Sequence, residues 1–267
     1  LTIQYVHGYS DREGRRLSDQ ANTLAELLHG DTAYPAGSLV LEAGCGTGAQ
    51  TILLARNSPQ AVLTSVDISH PSLLAARRGI RLAGFANVSF RQADVFHLPF
   101  QGRSFDHAFI CFLLEHLNRP VEALRCARSV LREGGSLTVI EGDHGSALFH
   151  PDSPAARKTI QCLVDIQAAA GGDALIGRRL FPLLREAGFR NIRVAPRQVY
   201  ADPSRPDWAE GFTRHTFNAM VEGVREQALA RRLTTPAEWD RGIADLYAAA
   251  GPDGTFSYTF FKATAIA

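Results

Sequence analysis

From Ser38 onward the chain alternates two patterns: short apolar runs, and longer stretches where apolar residues return every three or four positions. The runs "SLVLEAG", "AVLTSVD", "NVSFRQAD", "FDHAFICF" and "SLTVIEGD" each suit a strand. Between them, "TGAQTILLARN" suits a helix. A second helix opens with Ser69 and Pro71 and stops near Gly84, and a third is striped by Val121, Leu124, Ala127 and Leu131 before Gly134-Gly135. Five β-then-α units of this length predict an α/β fold with a doubly wound parallel sheet.

Upstream, Ser10 and Glu13 form a capping box. Leu17, Ala21, Leu24, Leu27 and Leu28 then predict a helix over about 11–29. After Asp143 the rhythm breaks. Two helices (153–170 and 175–187) precede a sixth strand, "FRNIRVAPRQVY", and about 50 residues separate it from the last, "GTFSYTFFKATAI". In that gap Phe217, Met220, Val221 and Val224 mark one amphipathic helix, and Trp239, Ile243, Leu246 and Tyr247 another. The expected organisation is an N-terminal helical segment (1–34), a core (35–144), helical insertions around strand six (145–252) and a closing strand (253–267).

Composition adds limits. In 267 residues, 45% hydrophobic and 21% charged, the net charge is +1 without basic or acidic blocks, which gives no footprint for nucleic acid. No apolar run is long enough to span a membrane, so no membrane partner is expected. Cys45, Cys111, Cys126 and Cys162 are widely spaced and read as reduced thiols of a cytoplasmic chain. Residue 1 is leucine, so further N-terminal sequence is expected.

The chemistry starts at "LEAGCGTGAQ". Glycines after the first strand of such a sheet let a ligand approach the backbone. Read as Gly44-x-Gly46-x-x-Ala49 the loop suits a dinucleotide; read as Gly44-x-Gly46-x-Gly48 it suits S-adenosylmethionine. Plain turn chemistry is the third reading. Glu42 weighs on the choice, because a carboxylate repels a pyrophosphate and attracts an ammonium and a sulfonium. One unit pair at ~4 Å and a dielectric of 20 is worth about 4 kcal/mol. Asp67 ends strand two, where it can accept from ribose hydroxyls of either cofactor or simply sit at a helix start. Asp94 ends strand three, where it can take an adenine amino proton while Val95 and Phe96 cover the ring, or be an ordinary loop aspartate.

These stretches resemble a class I S-adenosylmethionine-dependent methyltransferase acting on small molecules. "VLEAGCGTG" is similar to that family's glycine motif, "VDIS" to its ribose acid and "QADVFHLPF" to its adenine acid. "SFDHAFICFLLEHL" is similar to its fourth-strand motif, and "VLREGGSLTVIEGD" to its helix-to-fifth-strand segment. The resemblance covers about 36–143 and implies a Rossmann-like seven-stranded sheet of order 3-2-1-4-5-7-6, its last strand antiparallel. It implies S-adenosyl-L-methionine as cofactor, S-adenosyl-L-homocysteine as product and a small-molecule methyl acceptor. The implied cofactor set is Glu42, Gly44, Cys45, Gly46, Asp67, Ile68, Asp94, Val95 and Cys111, with Tyr9 and Gln20. "YVHGYSDRE" resembles a segment that folds over the cofactor, which implicates Tyr5 and His7 as well.

Methyl transfer is an in-line displacement in which alignment of the nucleophile can supply about 7–11 kcal/mol. A base is needed where the nucleophile arrives protonated. Candidates are His144 first, because it follows strand five and titrates near neutrality, then His7, with Glu115, His116, Glu141 and Asp143 in the same loops. No metal is expected, since Asp143 and His144 lack further ligands nearby. Phe149, Phe181, Tyr200, Trp208, Phe212 and Phe217 either line an acceptor pocket or pack the extra helices. The competing functions are a nicotinamide-dependent oxidoreductase and an S-adenosylmethionine-binding protein without turnover.

Overall fold

The computed structural model describes residues 20–267. The Ser10–Glu13 capping box, most of the first helix, and Tyr5, His7 and Tyr9 lie outside the described residues. Residues 20–23 are helical, and after a turn at Leu24 comes α1 (Ala25–His29). Ala21, Leu24 and Leu28 are buried, as the apolar stripe requires.

The expected alternation follows: β1 (Leu39–Ala43), α2 (Ala49–Asn57), β2 (Val62–Asp67), α3 (His70–Leu82), β3 (Val88–Gln92), β4 (Phe105–Cys111), α4 (Pro120–Val130) and β5 (Leu131–His150). Local chemistry sets the helix ends. The Ser69 hydroxyl accepts from the Ser72 amide at the start of α3, and Gly84, at φ +77°, follows its end. The seven strands run in the order β3-β2-β1-β4-β5-β7-β6. Strands β1 to β5 pair in parallel, and β7 (Thr255–Ile266) is antiparallel to both β5 and β6 (Arg190–Ala201). This is the order the resemblance implied.

Both faces of the sheet are covered, so successive strand residues enter different cores. Val40, Leu63, Phe109 and Ile140 pack with Phe212, Phe217, Trp239 and Tyr258 on one side. Leu41, Val66, Ile110 and Val139 pack with Leu124, Leu180 and Leu184 on the other. Each such side chain contributes about 1.5–3 kcal/mol by burial.

Strand five differs from expectation. It was to stop at Asp143, with His144 in a loop; instead β5 reaches His150 and pairs again with β7 at Leu148, Phe149 and His150. The register slips between Asp143 and Leu148. The Ser146 hydroxyl closes the slip, donating to the Asp143 carbonyl and accepting from the Thr259 amide. Long β7 offers a partner past the parallel core, and Ala147 and Phe149 gain burial by taking it.

Beyond β5 come α5 (Pro154–Ala169), a 3-10 turn (Ile176–Arg179), α6 (Leu180–Glu186) and β6. Then follow α7 (Pro206–Trp208), a π-helix (Ala209–Asn218), α8 (Ala219–Glu222), α9 (Arg225–Ala230) and α10 (Pro236–Ala248). Thr235 and Glu238 cap α10 reciprocally. Gly242 lets α10 press against the Ala155 carbonyl of α5. Phe149, Phe212 and Phe217 are packed in this core, whereas Phe181 and Tyr200 face solvent.

Candidate functional site

The carboxyl ends of β1, β2, β3, β4 and β5 bring the chemistry to one edge of the sheet. After β1, Gly44, Gly46 and Gly48 all take the left-handed backbone, at φ +77°, +52° and +85°. They do different jobs. A Cβ on Gly48 would lie 2.9 Å from that of Ala76, and one on Gly44 would lie 2.8 Å from the Leu113 side chain. One on Gly46 would meet nothing within 4 Å, so this glycine leaves open space above the loop. The Gly44 and Cys45 amides both donate to the Val66 carbonyl, which ties the loop to β2. Burial pushes the Cys45 thiol up.

Three carboxylates rim the loop. Asp67 ends β2 and accepts the Gly46 amide at 2.8 Å on one oxygen and the Ser69 amide at 2.8 Å on the other. Burial raises its carboxyl above the usual range. Asp94 follows β3 and accepts the Phe96 amide at 2.9 Å, with the His97 ring 3.3 Å from its second oxygen. Val95, the next residue, is buried, and Ile68, which follows β2, is 52% exposed. Phe96 points into the core beneath the Arg119 guanidinium, 4.7 Å from the ring centre, so it offers no open cover for a base.

Glu42 needs a correction. It is buried, and one oxygen accepts from Thr51 at 2.7 Å and from Ser65 at 2.6 Å. Burial, aided by the Asp67 charge, pushes its carboxyl up to about 7. The electrostatic sign read from the sequence survives, but near neutral pH only part of a unit charge stands behind it.

The second half of the site surrounds the turn after β4. Cys111 is buried there, its thiol raised by burial and by Glu141. Phe112 takes φ +54° and leads into the 3-10 turn Leu114–His116. Glu115 accepts from Gln167, at 3.1 Å on its carbonyl and 3.2 Å on its carboxylate, and lies 3.6 Å from the His116 ring. Glu141 Oε1 accepts the amides of Leu113 and Leu114.

Where the β5–β7 register slips, His144 Nδ1 lies 2.8 Å from the Tyr258 hydroxyl. Both side chains are buried, and the His144 amide donates to the Ala174 carbonyl. Arg178 grips the neighbouring Asp143 with two bonds of 2.6 and 2.7 Å. A register slip of this kind re-aims a side chain, here an imidazole. Gln20 is buried on the helical segment before α1. Among the described residues no three of His, Cys, Asp and Glu gather as metal ligands, and no helix is long and apolar enough to cross a membrane.

Residues 40–135 match a family described as a methyltransferase domain. The 27-O-demethylrifamycin SV methyltransferase of Amycolatopsis mediterranei is 30% identical over 225 residues, which cover 84% of this chain and 76% of the relative. This chain belongs to the class I S-adenosylmethionine-dependent methyltransferases. A 37.1 kDa protein from transposon TN4556 of Streptomyces fradiae is 33% identical over 199 residues, 73% of this chain and 56% of that protein. The methyltransferase chain thus spans little more than half of one relative and three quarters of the other. Among solved structures, the phosphoethanolamine N-methyltransferase 2 of Haemonchus contortus, with S-adenosylhomocysteine bound, matches with a TM-score of 0.61 at 15% identity. The match covers 100% of this chain and 60% of that one, a likeness of fold.

As a member of this family the methyltransferase uses S-adenosylmethionine, and the nicotinamide reading of its glycine loop falls away. Sequence reasoning missed four residues of its site: Leu113 against Gly44, Gln167 on Glu115, Arg178 on Asp143 and Tyr258 on His144. Leu113 lies within the fourth-strand motif but its partner Gly44 is 69 residues away, and Gln167, Arg178 and Tyr258 sit in no quoted motif, so the fold brings each to its partner.

Proposed function

We propose that this methyltransferase transfers a methyl group from S-adenosylmethionine to a small-molecule hydroxyl, with thiols and amines as the other acceptor classes. One observation carries the reading: an open glycine at Gly46 sits among carboxylates at or just past the carboxyl ends of β1, β2 and β3, and a buried histidine, His144, lies in β5 where its register with β7 slips. The relative named for a methyl on oxygen supports the hydroxyl.

When bound, the cofactor supplies a methyl carbon activated by a sulfonium. Asp67 accepts from the ribose hydroxyls, since each of its oxygens has a lone pair beyond its backbone bond. Asp94 accepts a hydrogen bond from the adenine amino group, with Val95 and the exposed Ile68 against the ring. Gly44, Gly46 and Cys45 approach by backbone, Cys111 and Gln20 flank the methionine part, and Glu42 draws its ammonium. Tyr9 completes this set from outside the described residues.

An alcohol holds its proton tightly, so its transfer benefits from a base. His144 would take up that proton at Nε2, the ring nitrogen opposite the one that meets Tyr258. Glu115 and His7 stand behind it as alternatives. Residues 35–144 act as the cofactor core, 1–34 and the helices within 145–252 cover it, and 253–267 closes the sheet. The four free cysteines support a reducing, cytoplasmic setting.

The test is product formation. Incubation with S-adenosylmethionine and a panel of hydroxyl, thiol and amine acceptors, read by mass spectrometry, should yield an O-methylated product. Binding of S-adenosylhomocysteine with no product from any class would instead favour a binding protein.

A further inference from the structure

Glu141 is fully buried midway along β5, just before its register with β7 slips. Its Oε1 accepts two consecutive amides, Leu113 at 3.0 Å and Leu114 at 2.7 Å, from 28 and 27 residues earlier. These amides open the 3-10 turn after β4, where a helical turn has no internal acceptor to offer them. The chain enters this turn through Phe112 at φ +54°, which a bulky side chain adopts only when its surroundings hold it there.

The turn also has an outer support. The Glu115 carbonyl accepts from Gln167 of α5 at 3.1 Å and from the Asp173 amide at 2.8 Å. At its inner end Leu113 rests on the glycine loop, so close that a Cβ on Gly44 would lie 2.8 Å away. One carboxyl therefore fixes the segment that presses on the cofactor loop.

We propose that Glu141 is a positioning residue, which sets the turn after β4 so that Leu113 closes on Gly44 beside the methionine end of the cofactor site. Burial, reinforced by Glu115, also holds the Glu141 carboxyl well above the usual range. A glutamine at this position keeps an acceptor oxygen for both amides, whereas a base at this position could not be replaced so. The inference rests on the family's use of S-adenosylmethionine and not on the acceptor's identity.

Calorimetry of the full chain with S-adenosylhomocysteine tests it, together with turnover on any acceptor the panel reveals. Glu141→Gln should keep affinity within about twofold and leave the pH profile of turnover unchanged. Glu141→Ala should lose about tenfold or more, as two buried amides lose their acceptor. If Glu141→Ala does not fold by circular dichroism, Leu113→Ala decides, because it keeps the cap and removes the contact with Gly44. Its affinity should fall about threefold or more. Wild-type affinity in a folded Glu141→Ala or in Leu113→Ala overturns the proposal. So does a Glu141→Gln enzyme that binds normally but has lost turnover, since that is the behaviour of a base. Affinity is read without an acceptor, so failure of the methyl-transfer reading leaves this test intact.

Discussion

The two halves of the crevice are held by contacts of different reach. On the cofactor half, Asp94 bonds to Phe96 and Asp67 to Ser69, two residues away, Glu42 reaches Thr51, nine away, and the longest bonds join neighbouring strands, Asp67 to Gly46 across 21 residues and Glu42 to Ser65 across 23. On the β5 half, Glu141 holds amides 27 and 28 residues away, Gln167 reaches Glu115 across 52, and His144 meets Tyr258 across 114. The first half needs little more than three paired β-α units. The second exists only once β7 and the helices of 153–248 are in place. On the proposed reading, changes in those helices should alter the acceptor side while the cofactor loop keeps its shape.

If the halves are separable, substitutions on each should move different constants. The largest effect is expected for His144→Gln, which should lower turnover by about 10²–10⁴-fold. Affinity for S-adenosylhomocysteine should stay within about twofold; a parallel fall in both constants would break the comparison. Next, Asp67→Ala should weaken cofactor binding by tenfold or more, from the loss of ~1.5–3 kcal/mol in hydrogen bonds to a charged group. Turnover at saturating cofactor should change far less, and a larger loss in kcat than in affinity would place Asp67 in the wrong half.

Gly48→Ala probes the frame instead of the ligand. At φ +85° and with a new Cβ 2.9 Å from that of Ala76, it should cost about 1–2 kcal/mol. A calorimetric scan should show Tm falling by roughly 2–4 °C per kcal/mol. An unchanged Tm would mean that α3 yields easily. The mildest effect concerns pH. With its carboxyl pushed up to about 7, Glu42 takes up a proton on folding between the ordinary carboxylate range and neutrality. Its contribution to stability is thus greatest on the acid side and is lost as pH rises through 7. A cationic ligand favours the ionised form, so S-adenosylmethionine affinity should rise about three- to tenfold from pH 6 to 8. Glu42→Gln should flatten that curve, and 5′-methylthioadenosine, which lacks the ammonium, should show no such slope.

The difference in reach also explains what could be read from the chain. Gly44, Gly46 and Gly48 form a pattern because they recur within five residues at the end of a strand, with acids ending the next two strands, and helix boundaries at Ser69 and Gly84 follow from local chemistry. The order 3-2-1-4-5-7-6 came through family resemblance, since periodicity alone does not place β7 between β5 and β6. The rest depended on distant partners. That Glu42 is tempered by Thr51 and Ser65, and that Phe96 turns under Arg119, follows from how α2, β2 and α4 pack. That His144 lies within a strand follows from the length of β7, and Glu141's orientation toward amides follows from the β4–β5 pairing.

The most direct test of the central claim is a crystal structure of the complex with S-adenosylhomocysteine. The ribose hydroxyls should bond to Asp67 and the thioether sulfur should lie beside Cys111, facing His144 Nε2 with room for one acceptor atom between them. A sulfur turned away from His144, or a ribose that avoids Asp67, would contradict the account.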